Sequence, residues 1–179
     1  MRTKVVGEGM GHATRSRVVL DHLLTAGHRI RVVVSGKAHR FLVAEFAGRS
    51  GIELEEIEGL HLDYRGNAVD LAETIRKNLE RSLGRLRRNV EVYRKVVEEG
   101  FRPEVVVSDF ESWAFLYGRI HDIPVLSIDN MQILNRCRHE DGVTDGRRFD
   151  FRLARYAVKA KLPGAAHYLV TSFFFPRVR

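Results

Sequence analysis

Residues 5 to 15 read VVGEGMGHATR, a run in which the end of an apolar strand passes through alternating glycines to His12. Glycine has no Cβ, so the backbone at Gly7, Gly9 and Gly11 can approach a ligand closely. A helix that begins behind such a loop presents free N–H groups and the positive end of its dipole to an anion. The run therefore predicts a strand, a ligand-binding loop and a helix, with His12 placed for chemistry rather than for packing.

Strands and helices alternate along the rest of the chain. Apolar or alternating runs predict strands at 3–6, 29–35, 52–57, 104–108, 124–128 and 167–171. Apolar residues three or four positions apart predict helices at 13–25, 37–46, 111–121 and 149–161, and one long helix or two abutting ones over 70–100. Because helical crossovers connect parallel strands, we expect an α/β fold. Its expected form is a Rossmann-like, doubly wound, mostly parallel sheet with helices on both faces and strand order 3-2-1-4-5.

Length and composition favour one domain over residues 1–179. The chain is 44% hydrophobic and holds one cysteine, Cys137, so no intramolecular disulfide is expected. No charged segment followed by an apolar one lies before the first strand, so no leader peptide is expected, and no apolar run approaches the roughly 20 residues of a membrane span. We therefore expect a cytoplasmic protein without a transmembrane segment.

Basic residues concentrate toward the C-terminus. Residues 131–179 contain ten Lys or Arg and four Asp or Glu, within a chain of net charge +7. Such a bias suits phosphate groups or anionic lipid, and a solvated helix face explains it equally well. Nucleic acid is disfavoured because no aromatic platform is interleaved with the basic residues. Ile133 and Leu134, beside Arg136 and Arg138, are the expected place of any peripheral contact with a membrane.

Strand order brings two distant residues toward one another. In an open parallel sheet the ligand crevice lies at the carboxyl ends of the strands, where the strand order reverses. The loops after strands 1 and 4 flank that point, so His12 and Asp109 should be near neighbours. The helix dipole favours a neutral imidazole that accepts a proton, and the carboxylate of Asp109 would orient the ring. The alternative, in which His12 only caps the helix or bonds a carbonyl, stays open.

Further polar residues would line the same rim. Glu8 lies within the glycine loop and Arg15 follows His12 by one helical turn. Asp129, Asn130 and Gln132 follow strand 5 and would reach the same edge of the sheet. The histidines elsewhere show no ligand spacing, so no metal site is expected.

The glycine loop does not match the common nucleotide motifs. Its pattern is GxGxG followed by His12, which lacks the third glycine of the GxGxxG dinucleotide fingerprint. The second strand ends in Ser35 and Gly36 rather than in an acidic residue, and no GK[ST] follows the loop. The loop therefore favours an anionic or polar ligand over NAD. The missing GK[ST] excludes a Walker-type phosphate loop.

Four segments resemble the N-terminal half of glycosyltransferases with the GT-B fold. They read GEGMGHATRS, VVVSDFESWAFLYGR, VLSIDNMQIL and VTSFFFP, at residues 7–16, 105–119, 125–134 and 170–176. The chain is similar over its whole length to predicted bacterial and archaeal glycosyltransferases. These are similar in turn to the lipid-linked peptidoglycan N-acetylglucosaminyl transferase and to the UDP-glycosyltransferases.

The resemblance implies roles for particular residues. In GT-B enzymes the N-terminal Rossmann-like domain holds the acceptor, and the C-terminal domain holds the nucleotide sugar. By motif, His12 corresponds to the histidine that deprotonates the acceptor hydroxyl, and Asp109 to the aspartate that supports it. The glycine loop of the peptidoglycan enzyme is thought to meet the acceptor diphosphate, which implies binding roles for Gly9, Gly11 and Arg15.

Two functions are therefore expected. The first is the acceptor-binding half of an inverting, metal-independent glycosyltransferase, inactive alone because the donor half is absent. This domain would bind the sugar acceptor and no cofactor, while the nucleotide-sugar donor would occupy a missing domain or subunit that also covers Phe173, Phe174 and Phe175. The second is a noncatalytic Rossmann-like module that binds an anionic ligand or partner through the loop and the basic C-terminal segment.

Overall fold

The computed structural model describes residues 2–5, 10–59, 64–65, 68–69, 82–140, 142 and 146–179. The chain divides into two compact units, Met1–Pro103 and Glu104–Arg179. Each unit has its own parallel strands and its own helices. The predicted adjacency of the first and fourth strands joins the two units and stays a prediction, as does the single domain.

The first unit contains three parallel strands with β2 in the middle. Its elements are β1 (Arg2–Val5), α1 (Met10–Thr25), β2 (Ile30–Ser35), α2 (Gly36–Glu45), β3 (Ile52–Ile57), the antiparallel pair β4 (Tyr64–Arg65) and β5 (Ala68–Val69), and α3 (Ser82–Glu98). The predicted helix over 70–100 is described from Ser82 onward, and its earlier part lies outside the described residues. Helix α1 begins three residues before its predicted start, so His12 lies inside its first turn.

Both faces of β2 are covered by helices. Successive side chains of the strand point to opposite faces, so each face can pack against a different helix. Ile30, Val32 and Val34 pack into one core with residues of α1 and α2, namely Ala13, Leu20, Ala38, Leu42 and Phe46. Arg31, on the other face, pairs with Glu99 directly after α3. The predicted arrangement of helices on both faces is therefore found in this unit.

A buried arginine connects β2 to β3 and to the end of α3. Arg31 pairs with Glu53 and Glu99 and lies 3.8 Å from Oε1 of Glu55. Lys95 of α3 adds a second cation, with Nζ 2.7 Å from the same Oε1. The three carboxylates have a spacing that could hold a metal ion, but two side-chain cations, Arg31 and Lys95, already pair with them. We assign this cluster to the packing of α3.

The second unit also contains three parallel strands, with β7 in the middle. Its elements are β6 (Val106–Asp109), α4 (Ser112–Ile120), β7 (Val125–Asp129), the short α5 (Ile133–Arg136), α6 (Arg148–Lys161) and β8 (His167–Val170). The sequence analysis predicted every strand here and missed only α5. The last residues pair with the segment after α5, where the N–H of Arg138 donates to the carbonyl of Arg177 at 2.7 Å. Phe173 and Phe175 are exposed.

Among the residues that the structure describes, no helix has the length and the apolar character needed to cross a bilayer.

Helix α4 passes very close to β7 at Gly118. A Cβ built on Gly118 would lie 2.5 Å from Cγ2 of Val125 and 3.2 Å from the carbonyl oxygen of Ile123. The first contact is with a buried side chain and the second is with backbone, so neither can move aside at low cost. The glycine therefore sets the distance between α4 and the strand that carries Asp129.

We expect Gly118→Ala to lower the free energy of unfolding by about 1–3 kcal/mol, because overpacking displaces α4. The matched control is Gly84→Ala in α3, where an added Cβ meets nothing within 4 Å. That change should be neutral or slightly stabilising. Chemical denaturation followed by circular dichroism measures both. Equal stability of the two variants would contradict the close packing at Gly118.

Candidate functional site

Helix α1 begins at Met10, and its first turn carries Gly11 and His12. Gly7, Glu8 and Gly9 lie outside the described residues, so their predicted roles stay predictions. The first turn of α1 contains no acidic residue, and a Cβ built on Gly11 would meet nothing within 4 Å. No steric contact in the described chain therefore requires glycine at this position. The open space beside Gly11 is available to a ligand that approaches the helix end.

His12 and Arg15 contact one another across the first turn of α1. Nη2 of Arg15 lies 2.9 Å from Nδ1 of His12, and both side chains are half-buried. Residues three apart on a helix are surface neighbours, which explains the contact. The predicted site residues His12, Arg15 and Gly11 are thus brought together at one helix end.

The contact assigns the proton on the His12 ring. A guanidinium has donors and no acceptor, so Arg15 donates and Nδ1 of His12 accepts. A neutral imidazole with Nδ1 as acceptor carries its hydrogen on Nε2. The nitrogen able to take a proton from a hydroxyl is therefore Nδ1, and Nε2–H is the group that can donate to a carboxylate.

In the second unit, β6 ends in a tight turn that fixes Asp109. The Oγ of Ser108 accepts a hydrogen bond from the N–H of Glu111 at 3.0 Å and donates to its carbonyl at 2.9 Å. The side chain of Glu111 caps α4 by accepting from the N–H of Trp113 at 3.2 Å. Asp109, the last residue of the strand, is buried at this turn. The turn therefore follows directly after Asp109 at the carboxyl end of β6.

Phe110 adopts an unusual backbone conformation beside Asp109. Its φ is 55°, a left-handed value that costs a bulky residue energy and that often marks functional turns. Nζ of Lys161, at the end of α6, lies 4.3 Å from the centroid of the Phe110 ring. This cation–π contact helps to offset the backbone strain. The strain is stored next to the residue that the sequence analysis places in the site.

A second buried carboxylate, Asp129, ends β7. Its Oδ2 accepts from Oγ of Ser127 at 2.6 Å, and its Oδ1 accepts from the backbone N–H of Gln132 at 2.9 Å. Removal from water raises the pKa of Asp129, and the nearby Asp109 carboxylate raises it further; the hydrogen bonds oppose the rise. Asp129 therefore holds its proton more tightly than an exposed aspartate does.

The two other rim residues differ in accessibility. Asn130 is exposed directly after β7, and its predicted contact with a ligand stays a prediction. Gln132 is only 2% exposed, and within the described part of the chain its Nε2 has no hydrogen-bond partner. Its backbone is fixed by Asp129, so the Asp129 carboxyl shapes the turn that presents Asn130.

The structure groups the predicted site residues in two sets. His12, Arg15 and Gly11 belong to the first unit, whereas Asp109, Asn130 and Gln132 belong to the second. The proposed contact between His12 and Asp109 joins the two units and stays a prediction. Asp129 is expected from the sequence only to line the rim beside Asn130 and Gln132, although the D-x-x-Q spacing of residues 129–132 is a helix-capping pattern that could have indicated its bond to Gln132.

Comparison with known proteins identifies a family match over nearly the whole chain. The family model described as glycosyl transferase family 1 matches residues 3–179. An uncharacterized glycosyltransferase of Methanosarcina mazei is 28% identical over 127 residues, which are 70% of this chain and 31% of that protein. The chain thus spans about a third of this curated relative.

Solved structures show the same fold. A variant of Os79 from O. sativa, in complex with UDP, superposes with a TM-score of 0.59 and 16% identity over 97% of this chain and 47% of that one. UGT89C1 from Arabidopsis thaliana, solved with UDP-L-rhamnose, superposes with a TM-score of 0.53 and 13% identity over 96% of this chain and 45% of that one. Identity this low carries the fold alone. These superpositions confirm the Rossmann-like α/β class and the resemblance to GT-B proteins. The chain spans less than half of the length of these proteins.

The raised pKa of Asp129 has a consequence for stability. The folded chain binds this proton more tightly than the unfolded chain, whose aspartate has the ordinary pKa of 3.8. The free energy of unfolding should therefore fall as pH rises from 3.8 to the raised pKa of Asp129, and this contribution is constant above that value. In Asp129→Asn the amide oxygen can still accept from the N–H of Gln132 while the amide NH2 donates to Oγ of Ser127, and the titration is removed.

We expect the free energy of unfolding of Asp129→Asn, minus that of the natural chain, to increase as pH rises through this window. Urea denaturation at a series of pH values between 4 and 7 measures the difference, with Asp150→Asn on α6 as the control for loss of one negative charge. A difference that is constant with pH, or that decreases, would contradict the buried, proton-holding carboxyl.

Proposed function

The chain belongs to glycosyl transferase family 1, and we propose that it is the acceptor-binding half of an inverting glycosyltransferase. The sugar would pass from a nucleotide-sugar donor to a hydroxyl or lipid-linked acceptor. The observation that carries the proposal is His12 in the first turn of α1, with Nδ1 as an acceptor beside Arg15. In a family that transfers sugars, this is a general base placed behind a glycine loop.

His12 acts on the acceptor hydroxyl. Nδ1 takes the proton as the acceptor oxygen forms a bond to C1 of the sugar. The bond from C1 to the nucleotide phosphate breaks, and the nucleoside diphosphate leaves with the electron pair. One displacement on the face opposite the leaving group inverts the configuration at C1. Asp109 accepts from Nε2–H and stabilises the imidazolium that forms, and no metal ion takes part in this scheme.

Arg15 controls access to the base. In the free chain its guanidinium donates to the same nitrogen that must receive the proton. An anionic group on the acceptor, such as a phosphate, offers the guanidinium stronger, charge-assisted hydrogen bonds. Binding of that group would draw Arg15 away and free Nδ1 for the hydroxyl. Gly9, Gly11 and Glu8 would contact the same acceptor through the loop.

The second unit contributes the rest of the acceptor site. Asn130 is exposed after β7 and can donate to or accept from a sugar or phosphate oxygen. Gln132 supports that turn through its backbone bond to Asp129. We assign no cofactor to this chain and assign the nucleotide sugar to a donor domain or subunit. The structures of relatives solved with UDP or UDP-L-rhamnose are about twice as long as this chain, which supports that division.

A noncatalytic module that binds an anion is the alternative. The absence of acidic residues from the first turn of α1 would serve such a module as well. The two functions differ in their dependence on His12, because an electrostatic binder needs Arg15 and the helix end but no base. They also differ in salt dependence, which is steep for a purely electrostatic site.

We expect His12→Ala to lower kcat for sugar transfer by about 100-fold or more, because the general base is removed. Asp109→Asn should lower it by about tenfold or more, because the ring loses its acceptor at Nε2. The assay is release of UDP from UDP-glucose or UDP-N-acetylglucosamine, with the donor domain present and a panel of hydroxyl acceptors. One of these is quercetin, with which UGT89C1 was solved.

The matched control for this assay is His22→Ala, which removes an exposed histidine from the last turn of the same helix. It should leave turnover unchanged. Full turnover in His12→Ala would remove His12 from the chemistry and favour the noncatalytic module. Transfer by the 179-residue chain alone would contradict the assignment of the donor site elsewhere.

Gly11→Ala separates ligand binding from stability. Open space surrounds Gly11, so the free energy of unfolding should stay the same or rise by up to about 1 kcal/mol. The added methyl group would meet the acceptor instead, and KM for the acceptor should rise by about tenfold. The open glycine variant Gly84→Ala should change neither quantity. An unchanged KM in Gly11→Ala would remove Gly11 from the acceptor site.

A further inference from the structure

Helix α6 is apolar on two opposite faces. Val158 is buried against the rest of the second unit, at 3% exposure. Phe149, Leu153 and Tyr156 recur at i, i+4 and i+7 and are 77%, 57% and 73% exposed. Phe149 and Val158 are nine residues apart, which is about two and a half turns and therefore opposite sides of the helix. A surface helix ordinarily has one apolar face, so the second face needs an explanation.

Cations flank the exposed apolar face. Arg152 and Lys159 follow Phe149 and Tyr156 by three positions each, which places them beside the apolar residues on the helix surface. Both are exposed, and among the described residues neither forms an ion pair. Residues 147–161 contain six Lys or Arg and one acid, Asp150. The occupant of this face is therefore expected to be apolar and to carry negative charge.

The size of the face favours a lipid surface over a second protein. An aromatic side chain buries about 150–250 Å² at most, so three side chains provide roughly 500 Å². A stable protein interface needs about 800 Å² from each partner. A bilayer accepts a single convex helix, because lipids rearrange around it and no matching groove is required.

We propose that α6 lies in the headgroup layer of an anionic phospholipid bilayer. Phe149 and Leu153 would insert at the boundary with the acyl chains, while Tyr156 would place its ring there and its hydroxyl among the headgroups. Arg152 and Lys159 would meet the anionic headgroups, with their methylene stems along the apolar boundary. This contact needs neither a donor nor an acceptor, so it stands or falls independently of the proposed transferase activity.

The contact proposed on α6 differs from the one that the sequence predicts at α5. Ile133 and Leu134, the expected contact residues, are half-buried in α5. Helix α5 is fastened to α6, where Nδ2 of Asn135 donates to the carbonyl of Arg155 at 3.0 Å. The exposed apolar surface of this pair of helices is on α6, and the periodicity of the sequence alone could not distinguish the exposed face from the buried one.

The test is partitioning of the 179-residue chain onto large unilamellar vesicles. Vesicles of phosphatidylcholine with phosphatidylglycerol should bind the chain, and vesicles of phosphatidylcholine alone should bind it at least tenfold less. Added salt should weaken the binding, because it screens the cations from the headgroups. The readout is the fraction of protein that sediments with the vesicles.

Paired substitutions locate the contact on α6. Phe149→Ser with Leu153→Ser should lower the partition coefficient by tenfold or more. Arg152→Gln with Lys159→Gln should lower it by about fivefold for each charge. The control is Leu116→Ser with Ile120→Ser, two exposed apolar residues at the same i, i+4 spacing on α4. This control should bind as the natural chain does, and circular dichroism verifies that every variant folds.

Three results would overturn the proposal. The first is no binding of the natural chain to the anionic vesicles, and the second is undiminished binding of the Phe149→Ser, Leu153→Ser variant. The third is a concentration-dependent dimer that this variant abolishes, without vesicle binding by the natural chain. Sedimentation velocity detects such a dimer, and it would assign the face of α6 to a protein interface instead.

Discussion

Parallel pairing forces the carboxyl ends of neighbouring strands to one edge, and the polar chemistry of this chain depends on that constraint. In each unit the middle strand is buried or half-buried, and the polar residues come where a strand stops and a helix begins. His12 lies in the helix that follows β1, while Asp109 and Asp129 are the last residues of β6 and β7. A buried carboxylate is costly in the middle of a strand, but at its end backbone N–H groups and hydroxyls can satisfy it.

The two units stabilise their buried charges in different ways. In the first unit Arg31 is compensated by acidic side chains from β3 and from the end of α3. In the second unit a hydroxyl and a backbone N–H satisfy Asp129, and burial raises its pKa. The ion cluster fixes the position of a helix. The Asp129 carboxyl instead bonds the turn after β7, at the edge where the ligand is predicted to bind.

Periodicity and loop chemistry predicted most of the fold, because strands such as Ile52–Ile57 and helices such as Arg148–Lys161 have clear apolar patterns. The same approach placed His12, Arg15 and Gly11 at one helix end. It missed the left-handed conformation of Phe110, since nothing in a bulky aromatic residue indicates a positive φ. It also missed the partner of Nδ1 on His12, because only coordinates show which nitrogen Arg15 contacts. On α6 the pattern predicted a helix, but it could not show that one of two apolar faces is left exposed.

We propose that His12 is a base whose ring is held by Arg15 at Nδ1 and by Asp109 at Nε2. Long-range ¹H–¹⁵N NMR of the labelled chain reports the protonation of each ring nitrogen directly. The account predicts that neutral His12 carries its hydrogen on Nε2, and that Asp109→Asn shifts the Nε2 resonance while the resonances of His22 stay in place. A hydrogen on Nδ1, or His12 resonances that are identical in the natural chain and in Asp109→Asn, would contradict it.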